Sequence, residues 1–359
     1  MTNYLLAGGG TAGHVNPLLS LADEIMAQPG EHNVWALGTN EGLESTLVPE
    51  RGYELLTVPR LPMPRRINAY LFRFPTLFLK SVATVKAYLV EKNIDVVVGF
   101  GGYASAPAYR AAKELGIPYV VHEANALPGY ANRVGARGAS AVGVTFSKTS
   151  LPKAVVVGMP LRKEVIEITK TEMKFEADVY FGLDPKLTTL LVTGGSLGAK
   201  RINETIEASK QLLEAAGIQV IHVVGNRAGL EDLIQGGYHR LSYCNRMDLA
   251  LAAADFAVAR SGAATVSELA AVGLPAVLVP YPVGNGEQKL NAAELVAVEG
   301  AKLVDDAEFT PEYVRSQLIP LISNAKEIKS MRANALSIGV RDGSARLLKL
   351  VNGVLLGKD

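Results

Sequence analysis

The chain has 359 residues, more than one hydrophobic core of ordinary size holds, and its apolar content of 48% is enough for two. A formal charge of +1 leaves no basic excess to neutralise a phosphate backbone, which excludes a dedicated nucleic-acid binder and makes any cationic function local. The single cysteine, Cys244, excludes an intramolecular disulfide and a thiol-rich metal site, and fits a reducing, cytoplasmic compartment.

Residues 1–6 are apolar without a basic leader and run straight into glycines, so they read as a first strand rather than a signal peptide. The loop Gly8-Gly9-Gly10-Thr11-Ala12-Gly13-His14 follows, and residues 17–26 have helical composition with Pro17 near the first turn. Gly8, Gly10 and Gly13 fit G-x-G-x-x-G, which raises a nicotinamide dehydrogenase as the first rival. That fingerprint also needs an acidic residue closing the second strand. Here the run 34–37 ends in Gly38-Thr39-Asn40, with Glu41 only past the turn, so the rival lacks its ribose anchor. His14 stands at the mouth of the loop, where an imidazole can take a proton, bond a phosphate oxygen or cap the helix start.

Strands and helices then alternate: strands at 53–58, 95–98, 119–121 and 141–144, and helices near 69–91, 106–115 and 130–136. Such repeated units predict a parallel sheet covered on both faces. Two more polar loops follow strands at the same edge, Gly99-Phe100-Gly101-Gly102-Tyr103 and His122-Glu123-Ala124-Asn125, where open α/β sheets hold their ligands. The segment 60–80 sets Arg60, Arg65, Arg66, Arg73 and Lys80 among Leu71, Phe72, Phe74, Leu77, Phe78 and Leu79. It reads either as a surface for an anionic bilayer or as a core helix with a basic edge. The uncharged run 269–286 is interrupted by prolines and glycines, which argues against a spanning helix.

Residues 155–157 lead into Gly158-Met159-Pro160-Leu161-Arg162, and composition turns charged over 163–178, the expected domain boundary. The second half repeats the first: a strand at 189–192, the loop Gly194-Gly195-Ser196-Leu197-Gly198, and a helix over 199–216. Strands at 220–224 and 240–243 and a helix at 247–254 precede the stretch 259–292. Helices near 311–323, 325–338 and 345–355 finish the chain, the last expected to return to the first domain.

The stretch 259–292 holds most of the chemistry. A strand at 256–259 stops at Arg260-Ser261-Gly262, and a helix over 263–272 begins with backbone N–H groups that can face a diphosphate. Glu268 lies a turn and a half into that helix, where a carboxylate can accept from both hydroxyls of a ribose. After a strand at 276–279, the polar loop 281–288 brings Glu287, Gln288 and, just beyond, Asn291, groups suited to a sugar ring.

Taken together and in this order, these loops resemble those of the MurG family, bacterial transferases that add N-acetylglucosamine to the lipid-linked N-acetylmuramyl-peptide precursor of peptidoglycan. The pieces that carry the resemblance are GGGTAGHVNP at 8–17, GFGGYASAP at 99–107, HEANALPGYANR at 122–133, GMPLR at 158–162, GGSLGAKRIN at 194–203 and the stretch 259–292. The resemblance implies an α/β GT-B fold, two Rossmann-like domains facing across a cleft. The acceptor-binding, membrane-facing domain would span 1–160, joined by 340–359, and the donor-binding domain 161–339. It implies that Ser196 and the backbone of Ala263, Ala264 and Thr265 hold the diphosphate of UDP-N-acetylglucosamine, and that Glu268 holds the ribose. Arg162 and the Cys244 backbone would meet the uracil; Gln288, Asn291 and Asn125 would meet the sugar. Thr11, Ala12, Gly13 and His14 would border the reacting centre, with Gly101, Gly102 and Tyr103 at the diphosphate of the polyprenyl-linked acceptor. Three departures from the family's pattern stand out: Met159 for Asn, Cys244 for Ile and Glu287 for the first of a paired Gln-Gln.

The reaction so implied is an inverting transfer converting lipid I to lipid II on the cytoplasmic face of the membrane, by a peripheral enzyme. It needs a general base, for which His14 comes first and Glu123 second. No D-x-D metal motif is present, Asp305-Asp306 is expected away from the glycine loops, and no cofactor is required. Two alternatives remain at this point: a UDP-N-acetylglucosamine 2-epimerase on the same scaffold, and a non-catalytic nucleotide-sugar-binding membrane partner.

Overall fold

The computed structural model describes residues 1–64, 68–195, 198–226 and 228–357. The chain divides into two units, Met1–Arg162 with Asp342–Asp359, and Lys163–Arg341.

In the first unit, β1 (Thr2–Ala7), α1 (Ala12–Met26), β2 (His32–Gly38), α2 (Glu44–Glu50), β3 (Glu54–Thr57), α3 (Ala69–Glu91), β4 (Val96–Gly99), α4 (Ser105–Leu115), β5 (Tyr119–Glu123), α5 (Tyr130–Gly135), β6 (Ala141–Val144) and β7 (Ala154–Val156) follow in order. The strands form one sheet in the order β3-β2-β1-β4-β5-β6-β7, every pair parallel. β4 and β5 are buried at every position, as strands covered on both faces must be. One apolar layer joins Val82, Val85 and Leu89 of α3 to Ala108 and Ala111 of α4; the other joins Leu18, Leu21 and Ile25 of α1 to Leu347, Leu348 and Val351 of the terminal helix Gly343–Leu356. Because strand order reverses between β1 and β4, the loops after these two strands stand side by side, the position where open α/β sheets bind ligands.

One expectation for this unit needs correction, and two features go beyond it. α1 begins at Ala12, so Pro17 lies in its second turn rather than its first and has no N–H to give the Gly13 carbonyl. The helix α2 was not anticipated. In α3, the residues of the first half are exposed or half-buried, and full burial starts only at Ser81.

In the second unit, the charged stretch expected to mark the domain boundary begins the unit and forms two helices, α6 (Lys163–Ile166) and α7 (Lys170–Phe181). They are followed by β8 (Thr188–Thr193), α8 (Lys200–Ala215), β9 (Ile218–Val223), β10 (Leu233–Gln235), β11 (Tyr238–Leu241), α9 (Met247–Ala253), β12 (Phe256–Ala259), α10 (Ala263–Val272), β13 (Ala276–Leu278), α11 (Glu287–Ala297) and β14 (Ala301–Leu303). The sheet order is β10-β11-β9-β8-β12-β13-β14. Among the described residues only β10 is antiparallel; the Gly236-Gly237 turn folds it back on β11. Order reverses between β8 and β12, which places their loops together as in the first unit. Helices at 311–322 and Ala325–Ile338 complete the layers, with Val314, Leu318, Ile322 and Met331 in the core.

Candidate active site

The first glycine loop is gripped from two sides. Gly10 and its neighbours leave β1 over a buried carboxylate, Glu44 of α2, whose Oε2 accepts from Gly10 N–H at 2.7 Å. Its Oε1 accepts from Thr39 N–H at 2.9 Å and from the Thr39 hydroxyl at 2.7 Å. A Cβ on Gly9, Gly38 or Gly42 would strike the Glu44 side chain, which explains three of the local glycines at once. Burial pushes the Glu44 carboxyl up, but these hydrogen bonds outweigh it and hold the group below the usual carboxylate range. An acid therefore does stand near the end of the second strand, in the helix that follows it, and it bonds the loop backbone instead of standing ready for a ribose. Glu41 pairs with Arg60 at 3.7 Å on the surface.

His14 is the third residue of α1 and folds back on the loop, its Nδ1 3.0 Å from the Gly9 carbonyl and 3.4 Å from the Thr11 hydroxyl. A carbonyl oxygen only accepts, so Nδ1 carries the ring proton and Nε2 of the neutral ring keeps its lone pair. Nε2 lies against Gly101 in the loop after β4, where a Cβ would stand 3.1 Å away. Gly101 and Gly102 have φ of 96° and 81°, and a Cβ on Gly102 would approach the Gly9 carbonyl to 2.5 Å. Only glycine fits at both places. Ser105 locks this second loop: its Oγ accepts from Gly101 N–H at 3.0 Å and lies 2.8 Å from the Ala7 and Gly101 carbonyls. Thr11 immediately precedes α1 and Ala12 and Gly13 open it, where the sequence suggested loop, and Tyr103 stacks under the Arg60 guanidinium at 5.2 Å.

Glu123 does not suit the role of base. It is buried, with Oε1 accepting from Asn125 N–H at 2.9 Å and Oε2 accepting from Gly129 N–H and Asn132 Nδ2 at 3.0 Å. Both oxygens organise the loop 123–132, and a base needs a lone pair open to the reacting hydroxyl. Asn132 in turn accepts from Tyr109 at 2.8 Å and donates to the His122 carbonyl at 3.0 Å. His122 is wholly buried, its Nε2 3.1 Å from the Gly158 carbonyl, and burial pushes its pKa down to about 4.

In the second unit, Gly194 and Gly198 are also dictated by close approach: a Cβ on Gly194 would meet Ala199 N, and one on Gly198 the Val224 carbonyl. Ser196 lies outside the described residues. Across the sheet edge, Arg260 N–H bonds the Thr193 carbonyl at 3.2 Å, so the loops after β8 and β12 meet. The first intrahelical bond of α10 runs from Val266 N–H to the Gly262 carbonyl at 3.0 Å, which leaves the Ala263, Ala264 and Thr265 amides as its N-terminal donors. Glu268 is half-buried on the same helix, three and four residues past Thr265 and Ala264 and so above them on one face. Ser261, missed in the sequence, is buried just before the helix, and its hydroxyl meets no partner among the described residues.

Gln288 and Asn291 belong to the start of α11 rather than to a loop. Gln288 Oε1 accepts from Tyr281 N–H at 2.9 Å, and Asn291 is fully buried with its Nδ2 3.4 Å from the Ser261 carbonyl. Asn291 thus props the end of β12, next to the start of α10. Asp305 and Asp306 are not remote either. Asp306 lies 2.6 Å from Arg260 and 3.9 Å from Arg201, and Asp305 2.6 Å from Lys289. Arg260 spends its Nη1 hydrogens on the Val279 and Pro280 carbonyls, so Asp306 neutralises its charge without a well-aimed hydrogen bond. Arg162 is the last residue of the first unit, and Cys244 is buried in the loop between β11 and α9. Among the described residues no three His, Cys, Asp or Glu side chains cluster as a metal site.

α3 carries the basic and aromatic segment. Phe72, Leu79 and Leu71 are exposed, Phe72 to 75%, alongside Arg73 and Lys80; Phe74 and Phe78 stack at 6.1 Å. Arg65 and Arg66 lie outside the described residues. No described helix is long and apolar enough to cross a membrane.

Residues 4–144 match the N-terminal domain of glycosyltransferase family 28, and residues 189–347 its C-terminal domain. A protein of Leifsonia xyli subsp. xyli is 55% identical over 98% of both chains, and one of Clavibacter sepedonicus is 52% identical over 100% of this chain and 98% of its own. Both bear the name UDP-N-acetylglucosamine--N-acetylmuramyl-(pentapeptide) pyrophosphoryl-undecaprenol N-acetylglucosamine transferase. Among solved structures, MurG of Acinetobacter baumannii superposes with a TM-score of 0.79 at 26% identity, over 98% of this chain and 100% of that one.

Proposed function

The chain belongs to glycosyltransferase family 28 and, within it, to the MurG family of GT-B transferases, and from that premise we propose how its residues carry the reaction. The enzyme moves N-acetylglucosamine from UDP-N-acetylglucosamine to the lipid-linked N-acetylmuramyl-peptide, converting lipid I to lipid II.

His14 is the general base. The anchoring of its Nδ1 proton on the Gly9 carbonyl, which leaves the Nε2 lone pair beside Gly101, is the observation that supports this role most. As the acceptor hydroxyl attacks the anomeric carbon, its proton passes to Nε2, the bond from that carbon to the UDP oxygen breaks, and UDP leaves with the electron pair. One displacement inverts an α-linked donor to a β-linked product. The leaving charge is met by the amides of Ala263, Ala264 and Thr265 and by Ser196, while Glu268 binds the ribose hydroxyls. Gln288, Asn125, Arg162 and the Cys244 backbone complete the donor site, and Gly101, Gly102 and Tyr103 border the acceptor diphosphate. No metal is assigned a step.

α3 with its flanking arginines seats the enzyme on an anionic membrane surface, where the lipid acceptor resides. This gives it a peripheral place on the cytoplasmic face, in the wall synthesis that supports cell shape and division. Replacing His14 by Ala tests the base: turnover should fall about 10²–10⁴-fold with donor affinity nearly unchanged. A rate within a factor of about two of the parent would end the assignment.

A further inference from the structure

We propose that Glu44 is a positioning residue that works through the Gly9–Gly10 peptide to orient His14 and raise its basicity, an inference that rests on His14 being the base. This one peptide group is held at both ends. Its N–H donates to Glu44 Oε2 at 2.7 Å, and its C=O accepts from His14 Nδ1 at 3.0 Å. The sequence of groups is carboxylate, amide, imidazole. In familiar catalytic sites a carboxylate bonds the imidazole directly, fixing the tautomer and stabilising the imidazolium as it forms. Here the amide stands between, and it transmits the effect because hydrogen bonds in a chain polarise one another: an ionised acceptor at the N–H makes the C=O a stronger acceptor. A stronger acceptor at Nδ1–H makes Nε2 a better base.

Three features fit this role better than loop-shaping alone. Glu44 stays ionised while buried, its other oxygen held by both donors of Thr39, so a full charge is fixed under the peptide. Gly38 and Gly42 leave room for nothing but this side chain between the strand end and the loop. Gly102 packs close to the same peptide, so that a Cβ there would come within 2.5 Å of the Gly9 carbonyl. The groups facing His14 are Thr11 on its own turn, the Gly9 carbonyl, the Gly101 backbone and the Asn132 amide beside it. Two carboxylates stand behind these, Glu44 under Gly10 and Glu123 bonded to Asn132.

The test is Glu44→Gln in the full-length enzyme, which keeps the side-chain volume and removes the charge. Turnover should fall about 10- to 100-fold, as when the supporting partner of a ligand histidine is lost, with the donor KM within about two-fold of the parent. The acid limb of the kcat–pH profile should move down by about half a unit or more, because a less supported imidazole is a weaker base. In a His14→Ala background the same change should have no further effect on turnover. Parental turnover and an unmoved acid limb in folded Glu44→Gln overturn the proposal, as does a rate loss that persists in full without His14. If His14→Ala alone keeps the parental rate, the base assignment itself fails, and the proposal with it. Should Glu44→Gln not fold, nitrogen NMR of the imidazole in the unaltered enzyme decides: the Nδ1–H tautomer with a downfield Gly10 amide proton is expected, and the Nε2–H tautomer overturns the proposal.

Discussion

Gly101→Ala places a methyl group where the base must work. The added Cβ would lie 3.1 Å from His14 Nε2, 3.3 Å from His14 Cδ2 and 3.4 Å from Asn132 Nδ2. Asn132 cannot withdraw without breaking bonds to Tyr109, Glu123 and the His122 carbonyl, so the imidazole must yield. Swinging it away breaks the Nδ1 bond to Gly9, worth about 0.5–1.5 kcal/mol. The φ of 96° adds strain of about 1–3 kcal/mol for a residue with a Cβ. The stability cost is therefore roughly 1.5–4.5 kcal/mol, while the effect on rate is larger in kind. An acceptor hydroxyl must come within about 2.6–3.2 Å of Nε2, and the methyl occupies that reach, so turnover should lose the base's contribution of about 10²–10⁴. Calorimetric titration with UDP-N-acetylglucosamine should give a donor affinity within about two-fold of the parent, since Gly101 is not among the groups proposed to hold the donor. Gly116→Ala is the control: it has a φ of 69° but nothing within 4 Å of its Cβ, so it should cost about 1–2 kcal/mol of stability and leave turnover intact. A folded Gly101→Ala enzyme that turns over within about three-fold of Gly116→Ala would refute the reasoning.

Glu268→Ala should raise the donor dissociation constant about 10- to 100-fold, and a 2′-deoxy donor should bind the parent poorly yet lose little more in the variant. Additive penalties across the four titrations would remove Glu268 from the ribose. Changing Arg65, Arg66 and Arg73 to Glu should abolish co-sedimentation with anionic vesicles at low salt while sparing UDP binding, since each lost cation removes about 1 kcal/mol at the headgroups; undiminished binding would place the membrane surface elsewhere. His122 is pushed to about 4 in the folded chain, so between pH 6.5 and 4 only the unfolded chain takes up its proton. Stability should then be constant above the unfolded value and fall with decreasing pH by about 3 kcal/mol in all. Denaturant titrations of His122→Gln should show a shallower acid loss, a slope remaining from His222, itself pushed to about 4; an unchanged slope would mean that His122 is not the source.

What could be read in the sequence was decided by whether a signal was local. β12 and α10 were expected at 256–259 and 263–272, and α3 at 69–91, the ranges observed, because buried runs and helical periodicity end there in turn or capping residues. The start of α11 was hidden: Gly284 and Gly286 read as loop, whereas Gly286, at φ 78°, is the residue that enters the helix. The charged stretch after Arg162 read only as a boundary between domains because its charged residues drew attention before the apolar ones, Val165, Ile166, Met173, Phe175, Val179 and Phe181, that belong to α6 and α7. Glu44 was invisible for a deeper reason. A fingerprint tells where an acid should stand to meet a ribose, but not that one six residues beyond the strand folds under the glycine loop and bonds its backbone. The only trace was three glycines, Gly9, Gly38 and Gly42, with no turn type to explain them together. Glu123 was overvalued in the opposite way: a polar residue at a sheet edge looks available until its buried partners are known.

The reaction itself is tested most directly by following both products at once. Enzyme is mixed with UDP-N-acetylglucosamine labelled in the sugar and a polyprenyl-diphosphate-linked N-acetylmuramyl-pentapeptide, with and without the acceptor. UDP should appear in step with label in the lipid fraction, only when acceptor is present, and the anomeric proton of the new disaccharide should show a β-linkage. UDP release or an epimerised sugar without acceptor, or an α-linked product, would contradict a single inverting transfer.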